Sequence, residues 1–339
     1  MLYIARRIGQ SLCVLFGLSL LIFVIARVMP GDPARVTLGP LATAEQIQRL
    51  TEKMRLNEPI YVQYYVWLRS ALTGDLGKST VTKRDIIVDI RKFLPATLEL
   101  VFLASLIALV IGQVIGVLAG RYRNSWVDNV ARVISYFGIV TPPFVFAILF
   151  LLLFSYGLGC APSVGRLSLG IKPPTTRTGF LVLDSLIAGN FPVALDALEH
   201  LLLPAMSLAM VSLAQESRIT RASLSENLMK DYVTAHIGYG IPRHVIMFKY
   251  LLKPSITPTV AIMGLDLVCV LANAFLVEIV FNWPGFSAYG VSALLHKDLN
   301  AIIAVILVVG CAFTIVNILV DILVMTLDPR IRLRRQVKQ

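Results

Sequence analysis

The chain has 339 residues, of which 57% are hydrophobic and only 15% are charged. Soluble domains usually carry about a quarter charged residues, so this composition argues against a soluble enzyme and favours a polytopic membrane protein. The net charge of +11 does not indicate nucleic-acid binding, because most Lys and Arg residues flank apolar runs, where they report membrane topology. The four cysteines are scattered and predict neither a disulfide framework nor a metal cluster.

Six apolar runs are long enough to cross a bilayer at about 1.5 Å per residue. The first follows Arg6-Arg7 but is too long for a signal peptide and lacks a small-residue cleavage site, so we expect it to be retained. The predicted fold is therefore an all-α polytopic membrane protein with six transmembrane helices. The runs cover residues 9–29, 97–119, 133–157, 197–215, 259–281 and 301–325.

The density of Lys and Arg predicts the side of the membrane on which each loop lies. Short basic loops stay in the cytoplasm, and the basic segments of this chain are 1–8, 120–132, 216–258 and 326–339. We therefore expect both termini to be cytoplasmic. The longer segment 30–96 is also basic, but loops of more than about 60 residues follow the charge rule poorly, and we place it outside.

Four regions follow from this topology: a first transmembrane helix, an external subdomain, a five-helix core containing a cytoplasmic loop, and a basic tail. In the external subdomain, Thr43-Ala44-Glu45 opens a predicted helix, and an aromatic-rich amphipathic stretch runs from Tyr61 to Leu72. The four regions are residues 1–29, 30–96, 97–330 with the loop 216–258, and 331–339.

Residues 72–79 end like a phosphate-binding loop, with the sequence Gly77-Lys78-Ser79. The leading glycine of that motif is replaced by Leu72, and the segment follows an amphipathic stretch where a nucleotide site needs a buried strand. We interpret it as a turn of the external subdomain.

The second and third apolar runs each contain a motif that shapes helix packing. Gly112, Gly116 and Gly120 recur every fourth residue, which lets another helix approach closely. We favour packing within one subunit, with a subunit interface as the alternative. Thr141-Pro142-Pro143 is expected to kink or break the third run, and such breaks are tolerated where the backbone is buried or lines a cavity.

The fifth run carries three polar side chains, Asp266, Asn273 and Glu278. Ionisable groups in a membrane core are costly and usually face a bundle interior or a wet cavity. Asn273 follows Asp266 by about two helical turns and therefore shares its face, which predicts a polar stripe along a translocation path. The alternatives are a structural hydrogen bond to a neighbouring helix and, for Glu278, a side chain that reaches the outer interface.

No constellation of catalytic residues is apparent in the sequence. The four histidines, at positions 200, 236, 244 and 296, are scattered, and neither a His-Glu-x-x-His nor a Gly-x-Ser-x-Gly motif occurs. We therefore predict a protein that is not an enzyme and binds no cofactor or metal itself.

Six segments, in order and spanning nearly the whole chain, resemble the permease subunits of oligopeptide/dipeptide-type ATP-binding-cassette importers. This resemblance implies a MetI-like type I permease bundle. The segments are Arg6-Arg7 with Met29-Pro30-Gly31-Asp32-Pro33, Gly74-Asp75-Leu76-Gly77, Leu94-Pro95-Ala96-Thr97-Leu98, Thr220-Arg221-Ala222-Ser223, Asn282-Trp283-Pro284-Gly285-Phe286 and Leu327-Asp328-Pro329-Arg330-Ile331-Arg332.

The resemblance also implies that the segment from Asp231 to Pro258 is the "EAA" loop, which docks in a groove on a cytoplasmic ATPase. The leading Glu-Ala-Ala of the pattern falls on Thr234, Ala235 and His236, so two of the three residues depart from it, and the glycine falls on Gly240. The candidate coupling residues are Asp231, Tyr232, Thr234, Ala235, His236, Gly240 and Pro258.

By the same resemblance, the partners are a second homologous permease subunit, in a heterodimer, two ATPase subunits that bind ATP and Mg, and an external substrate-binding protein. The location is the bacterial inner membrane, and the expected solutes are di- or oligopeptides. Nickel complexes, glutathione, opines and oligosaccharides are alternatives. A secondary transporter with Asp266 as proton carrier is the runner-up from another class.

Overall fold

The computed structural model describes residues 2–28, 34, 38, 42–53 and 55–327. This part of the chain is helical and contains no strand beyond an isolated bridge between Lys78 and Asp85. The helices are α1 (Leu2–Val28), α2 (Ala44–Lys53), α3 (Ile60–Leu72), α4 (Ile86–Arg121), α5 (Trp126–Val140), α6 (Pro143–Gly157), α7 (Leu181–Ile187), α8 (Phe191–Asn227), α9 (Asp231–Gly238), α10 (Arg243–Val280), α11 (Phe286–Leu295) and α12 (Leu299–Leu327).

Within the described residues, four helices are long and apolar enough to cross a membrane, namely α4, α8, α10 and α12. The pair α5 and α6 passes the same test when taken together, which makes up to five spans. In α1, the side chains that the structure describes form an apolar stretch over Gly9–Ile25. In the part of the chain that the structure describes, length and composition therefore support four of the six predicted crossings, or five if the bent pair is one span.

The break predicted at Thr141-Pro142-Pro143 is present. Helix α5 ends at Val140, α6 begins at Pro143, and the two axes differ by 109°. Neither proline can donate a backbone hydrogen bond, and a helix rarely continues into the residue before a proline. The end of α6, Leu151–Gly157, is π-helical.

The chain divides into two compact units, residues 1–96 with 284–315 and residues 97–283 with 316–339. Residues 284–315, which the sequence assigned to the five-helix core, thus group with the first unit. In that unit, Thr43 and Gln46 exchange hydrogen bonds between side chain and backbone at the start of α2, as the predicted helix start requires. Helix α3 packs on α1, where the Tyr64 and Ser19 hydroxyls are 2.8 Å apart.

The segment that resembles a phosphate-binding loop forms a turn in the first unit. Asp298 accepts hydrogen bonds from the Ser79 hydroxyl (2.6 Å) and the Thr80 amide (2.7 Å). Both glycines of the segment, Gly74 and Gly77, have positive φ. The turn leads into α4, whose first residues belong to an apolar core formed by Ile86, Ile90, Phe286, Tyr289, Ala293, Ala301 and Ala304.

Helix α8 is the centre of the second unit and packs against α5, α6, α7 and α10. It runs from Phe191 to Asn227, whereas the sequence predicted a span over 197–215 followed by a cytoplasmic loop. The helix continues because Ser217, Thr220 and Leu224 are buried against the glycine face of α4. Packing therefore extends the helix through residues that look polar in the sequence.

Candidate functional site

A short helix between α8 and α10 contains five of the seven candidate coupling residues. This helix, α9, is held to the second unit by Val233, which is 4% exposed and belongs to a cluster with Leu224, Ile246, Met247 and Leu251. Its other face has no cover from the described chain. The residues exposed there are Asp231, Tyr232, Thr234, Ala235 and Ile237.

His236 is the bulkiest departure from the pattern of small residues, and it is directed toward the chain itself. Its ring lies 4.2 Å from the ring of Tyr250 and 6.2 Å from that of Tyr232, measured between centroids. Because the ring contacts α10 in this way, the adjacent Ala235 remains exposed. The bulk of His236 is therefore accommodated without covering the neighbouring surface.

Gly240 ends α9 in a left-handed conformation with φ of +71°. The Gly240 amide donates to the Ile237 carbonyl (2.9 Å) and the Ile241 amide to that of His236 (3.1 Å). This arrangement closes the helix C-terminus, and L side chains with a β-carbon disfavour it by roughly 1–2 kcal/mol. A β-carbon at Gly240 would meet nothing within 4 Å, so backbone conformation alone explains the glycine.

Pro258, the last candidate coupling residue, does not end the coupling segment as predicted. It lies inside the α-helix Leu252–Val280, which belongs to α10. A π-helical turn over Ile246–Leu251 precedes that helix. The part of the segment from Arg243 onward and the following span thus form one continuous helical element.

Polar contacts join α8 to its neighbours at the same end of the second unit. The Thr220 hydroxyl lies 2.7 Å from the Thr259 hydroxyl. It donates a hydrogen bond to the side-chain oxygen Oε1 of Gln113 at 2.8 Å. The Asn227 amide donates to Ser255 at 3.1 Å. Buried hydrogen bonds of this kind favour one relative placement of helices, because a shifted helix would leave them unpaired.

Asp266 lies buried between α10 and α8, where it meets a second carboxyl group. The Gln215 amide donates to Asp266 Oδ1 at 3.1 Å, and Glu216, only 1% exposed, interacts electrostatically with Asp266. Among the described residues, Asp266 Oδ2 and Glu216 Oε2 have no hydrogen-bond partner. Two adjacent carboxyl groups in a low-dielectric interior repel each other when both are charged.

Glu216 was not anticipated because the fourth span was predicted to stop at Gln215. Helical spacing could have found this residue. Glu216 stands four residues before Thr220, so the two side chains share the face of α8 that meets α4. A β-carbon added at Gly112 would lie 3.2 Å from Glu216 Cβ. The absence of a side chain at Gly112 thus makes room for this carboxylate.

The other two polar residues of the fifth span have surroundings that differ from those of Asp266. Asn273 is exposed and donates to the carbonyl of Cys269, one turn earlier in its own helix, at 2.8 Å. Glu278 is fully buried and accepts a hydrogen bond from the Thr97 hydroxyl at 2.5 Å. Its carboxylate is therefore held against α4 and does not reach toward the interface.

A further buried carboxylate, Glu99 of α4, organises the loop between α6 and α8. It accepts hydrogen bonds from Arg166 (2.5 Å) and from the amides of Leu181 (3.2 Å) and Val182 (2.8 Å) at the start of α7. In the same loop, burial raises the pKa of Asp184, but hydrogen bonds from Thr178 and nearby amides outweigh it and hold the pKa below its ordinary value.

The three glycines of α4 lie against α8 within this subunit. A β-carbon at Gly116 would lie 2.7 Å from both the Ser217 carbonyl oxygen and Thr220 Cβ. The nearest atom would lie 3.0 Å away at Gly112 and at Gly120. The repeat thus permits the close approach that brings Gln113 to Thr220 and Glu216 to its buried position.

Asp266→Asn is expected to leave folding and assembly intact, because asparagine accepts the same hydrogen bond from Gln215 and removes one of two facing carboxyl groups. The measurement is the yield of monodisperse protein in size-exclusion chromatography. Asp266→Leu, which deprives Gln215 of its acceptor, should lower that yield, since an unpaired buried polar group costs about 1–3 kcal/mol. Loss of folded protein in Asp266→Asn would instead show that the charge itself supports the fold.

Two family models together match nearly the whole chain. Residues 112–333 match "Binding-protein-dependent transport system inner membrane component", and residues 1–101 match the N-terminal model of the same type of membrane component. The chain belongs to this family of inner-membrane permeases. It is accordingly a multi-pass protein of the inner membrane and a transport subunit.

Permeases whose names state the solute that they transport align with nearly the whole chain. The probable D,D-dipeptide transport permease DdpB of Escherichia coli K12 is 38% identical over 326 residues, 96% of each chain. The dipeptide permease DppB of Alkalihalophilus pseudofirmus is 34% identical over 97% of this chain and 99% of its own. The glutathione permease GsiC of Escherichia coli K12 is 30% identical over 97% and 98%.

Proposed function

We propose that this permease forms half of the translocation pathway of an ATP-driven importer of short peptides. The observation that carries the proposal is the exposed face of α9, which is anchored on the membrane helices by Val233. A surface of this kind lets a cytoplasmic ATPase act on a subunit that holds no catalytic constellation of its own. Two ATPases, which would bind ATP and Mg, and a second permease subunit are the partners it requires.

The proposed topology has six spans, with α1 as the first and both termini in the cytoplasm. Under this topology α9 faces the cytoplasm and α2 and α3 lie outside, where an external binding protein would deliver the solute. The basic segments around α9 support this orientation, because Lys and Arg accumulate in cytoplasmic loops. Lys230, immediately before α9, pairs with Glu226 at 2.9 Å.

Coupling would run from α9 into the membrane through two routes. Val233 packs against Leu224 at the end of α8 and Ile246 at the start of α10, so a pull on α9 displaces both helices. The Thr220–Thr259 and Gln215–Asp266 contacts then keep α8 and α10 moving together. ATP favours one arrangement only if the closed ATPases bind that arrangement more tightly than the other.

The solute class is inferred from the relatives. Two aligned permeases are designated for dipeptides, and the glutathione permease GsiC makes glutathione, itself a small peptide, the second candidate. Nickel complexes, opines and oligosaccharides remain alternatives, because the external binding protein makes the main selection in such an importer.

Reconstitution tests the proposal directly. The chain would be placed in proteoliposomes with a second permease, two ATPase subunits, a binding protein and a labelled dipeptide. We expect uptake that requires ATP on the α9 side and all permease and ATPase subunits. Uphill uptake by this chain alone, driven by a proton gradient, would overturn the proposal in favour of a secondary transporter.

A further inference from the structure

A small pocket between α5 and α8 is lined by three arginines, Arg132, Arg218 and Arg221. We refer to it as the arginine pocket. Two serines and a tyrosine complete its polar lining, and its volume of about 60 Å³ is several times the roughly 10–15 Å³ that one ordered water needs. The other lining residues are Ala131, Ser135, Tyr136 and Ser217.

The charge of the arginine pocket is strongly positive. Asp128 is the one carboxylate joined to it by an ion pair among the described residues, through Arg221 and through Arg132 at 3.4 Å. Three guanidinium groups therefore face one carboxylate. Arg218 is exposed and makes no ion pair with any residue that the structure describes. The excess positive charge of the arginines would be neutralised by a bound anion.

Asp128 holds one guanidinium group in place without using up its donors. It is completely buried and receives two parallel hydrogen bonds from Arg221, one of them 2.9 Å long. A guanidinium has five N–H donors in a fixed plane, so three of those of Arg221 remain for a ligand. Such a fork matches the oxygens of a phosphate group better than a single charge does.

The surroundings of the arginine pocket are those of a membrane interface. Trp126 at the start of α5 is 74% exposed, and Tyr136 is exposed at the rim. Aromatic residues of this type concentrate at the headgroup level of membranes. Farther along α5, Val133 and Phe137 expose apolar side chains. An occupant with a phosphate and hydrocarbon chains would satisfy the arginines and these apolar side chains together.

We propose that the arginine pocket binds the phosphate of an anionic phospholipid from the cytoplasmic leaflet. The assignment of leaflet rests on the orientation given under the proposed function, whereas the pocket and its charge do not. Basic pockets between transmembrane helices on the cytoplasmic side are suited to anionic headgroups. A bound lipid would bridge α5 to α8, the helix that carries the coupling contacts, and make the stability of the subunit depend on lipid charge.

The experiment compares purified full-length protein, with whichever subunits co-purify, in nanodiscs of phosphatidylcholine with and without phosphatidylglycerol. Lipid retained after delipidation is counted by native mass spectrometry. We expect phosphatidylglycerol to be retained by the wild type and Arg218→Gln to weaken its binding about tenfold, the loss of one charge-assisted contact. Arg218 is exposed and has no ion-pair partner within the described part of the chain, so this variant should fold normally.

Arg123→Gln is the matched control, because it removes the same charge from an exposed position beyond the pocket residues, and it should retain phosphatidylglycerol like the wild type. Equal retention of phosphatidylcholine and phosphatidylglycerol by the wild type would overturn the proposal. Displacement of the lipid by millimolar inorganic phosphate would assign the site to a free anion, and loss of a partner subunit in Arg218→Gln, with lipid unchanged, would assign it to a protein contact. None of these three results tests ATP-driven uptake, so the lipid site can fail while the proposed function stands.

Discussion

Gly240→Trp is expected to lower ATP-driven uptake by at least about tenfold while the protein still inserts in the membrane at wild-type levels. Its β-carbon meets open space within this chain, so the added ring projects from the end of α9 toward whatever docks there. The φ of +71° adds a strain of roughly 1–2 kcal/mol. Uptake of labelled peptide and the amount of ATPase that co-purifies are the two measurements.

Gly189→Trp separates docking from backbone strain. Gly189 has nearly the same φ, +70°, and likewise has nothing within 4 Å of its β-carbon position, but it precedes α8 at the opposite end of that helix from α9. We therefore expect near-normal uptake and normal ATPase recovery from this variant. Equal losses in both variants would mean that strain, and not docking, disables the protein.

Gly116→Ala is expected to destabilise the second unit by about 1–3 kcal/mol, the usual cost of overpacking. The new methyl group would lie 2.7 Å from the Ser217 carbonyl oxygen and from Thr220 Cβ, and a backbone oxygen cannot rotate away. Helices α4 and α8 must therefore separate, which also disturbs the Gln113–Thr220 hydrogen bond. The thermal unfolding midpoint of the purified protein measures the effect.

The same substitution at Gly17 is the control. This residue lies in α1, and a β-carbon there meets nothing within 4 Å. Alanine within a helix is favoured over glycine by about 0.5–1 kcal/mol, so Gly17→Ala should leave the midpoint unchanged or raise it. A midpoint in Gly116→Ala as high as that of Gly17→Ala would show that α4 and α8 do not pack as closely as described.

Gly116 and Gly240 illustrate a limit of sequence interpretation. Gly116 is required by the space between two helices, and Gly240 is required by its own backbone dihedral angle. The four-residue spacing around Gly116 indicates packing, but it does not name the neighbour. The position of Gly240 in the coupling pattern indicates a role without indicating whether space or conformation demands it.

Local features of the fold were predicted because they depend on neighbouring residues alone. The helix start at Thr43 relies on a partner three residues away, and the break before Pro142 relies on the missing backbone donors of proline. Apolar runs of sufficient length report membrane spans for the same reason, since each helix satisfies its own backbone. The family, and with it transport, followed from segments read in order.

By itself, then, the sequence determined the family, the membrane class, most of the spans and the break in the third. Tertiary structure alone decided that Glu216 is buried near Asp266, that Glu278 is buried against Thr97, and that the His236 ring packs against the Tyr250 ring. The physical reason is that each of these outcomes depends on a contact between helices. Spacing within one helix specifies a face, but which helix covers that face depends on how the whole bundle packs.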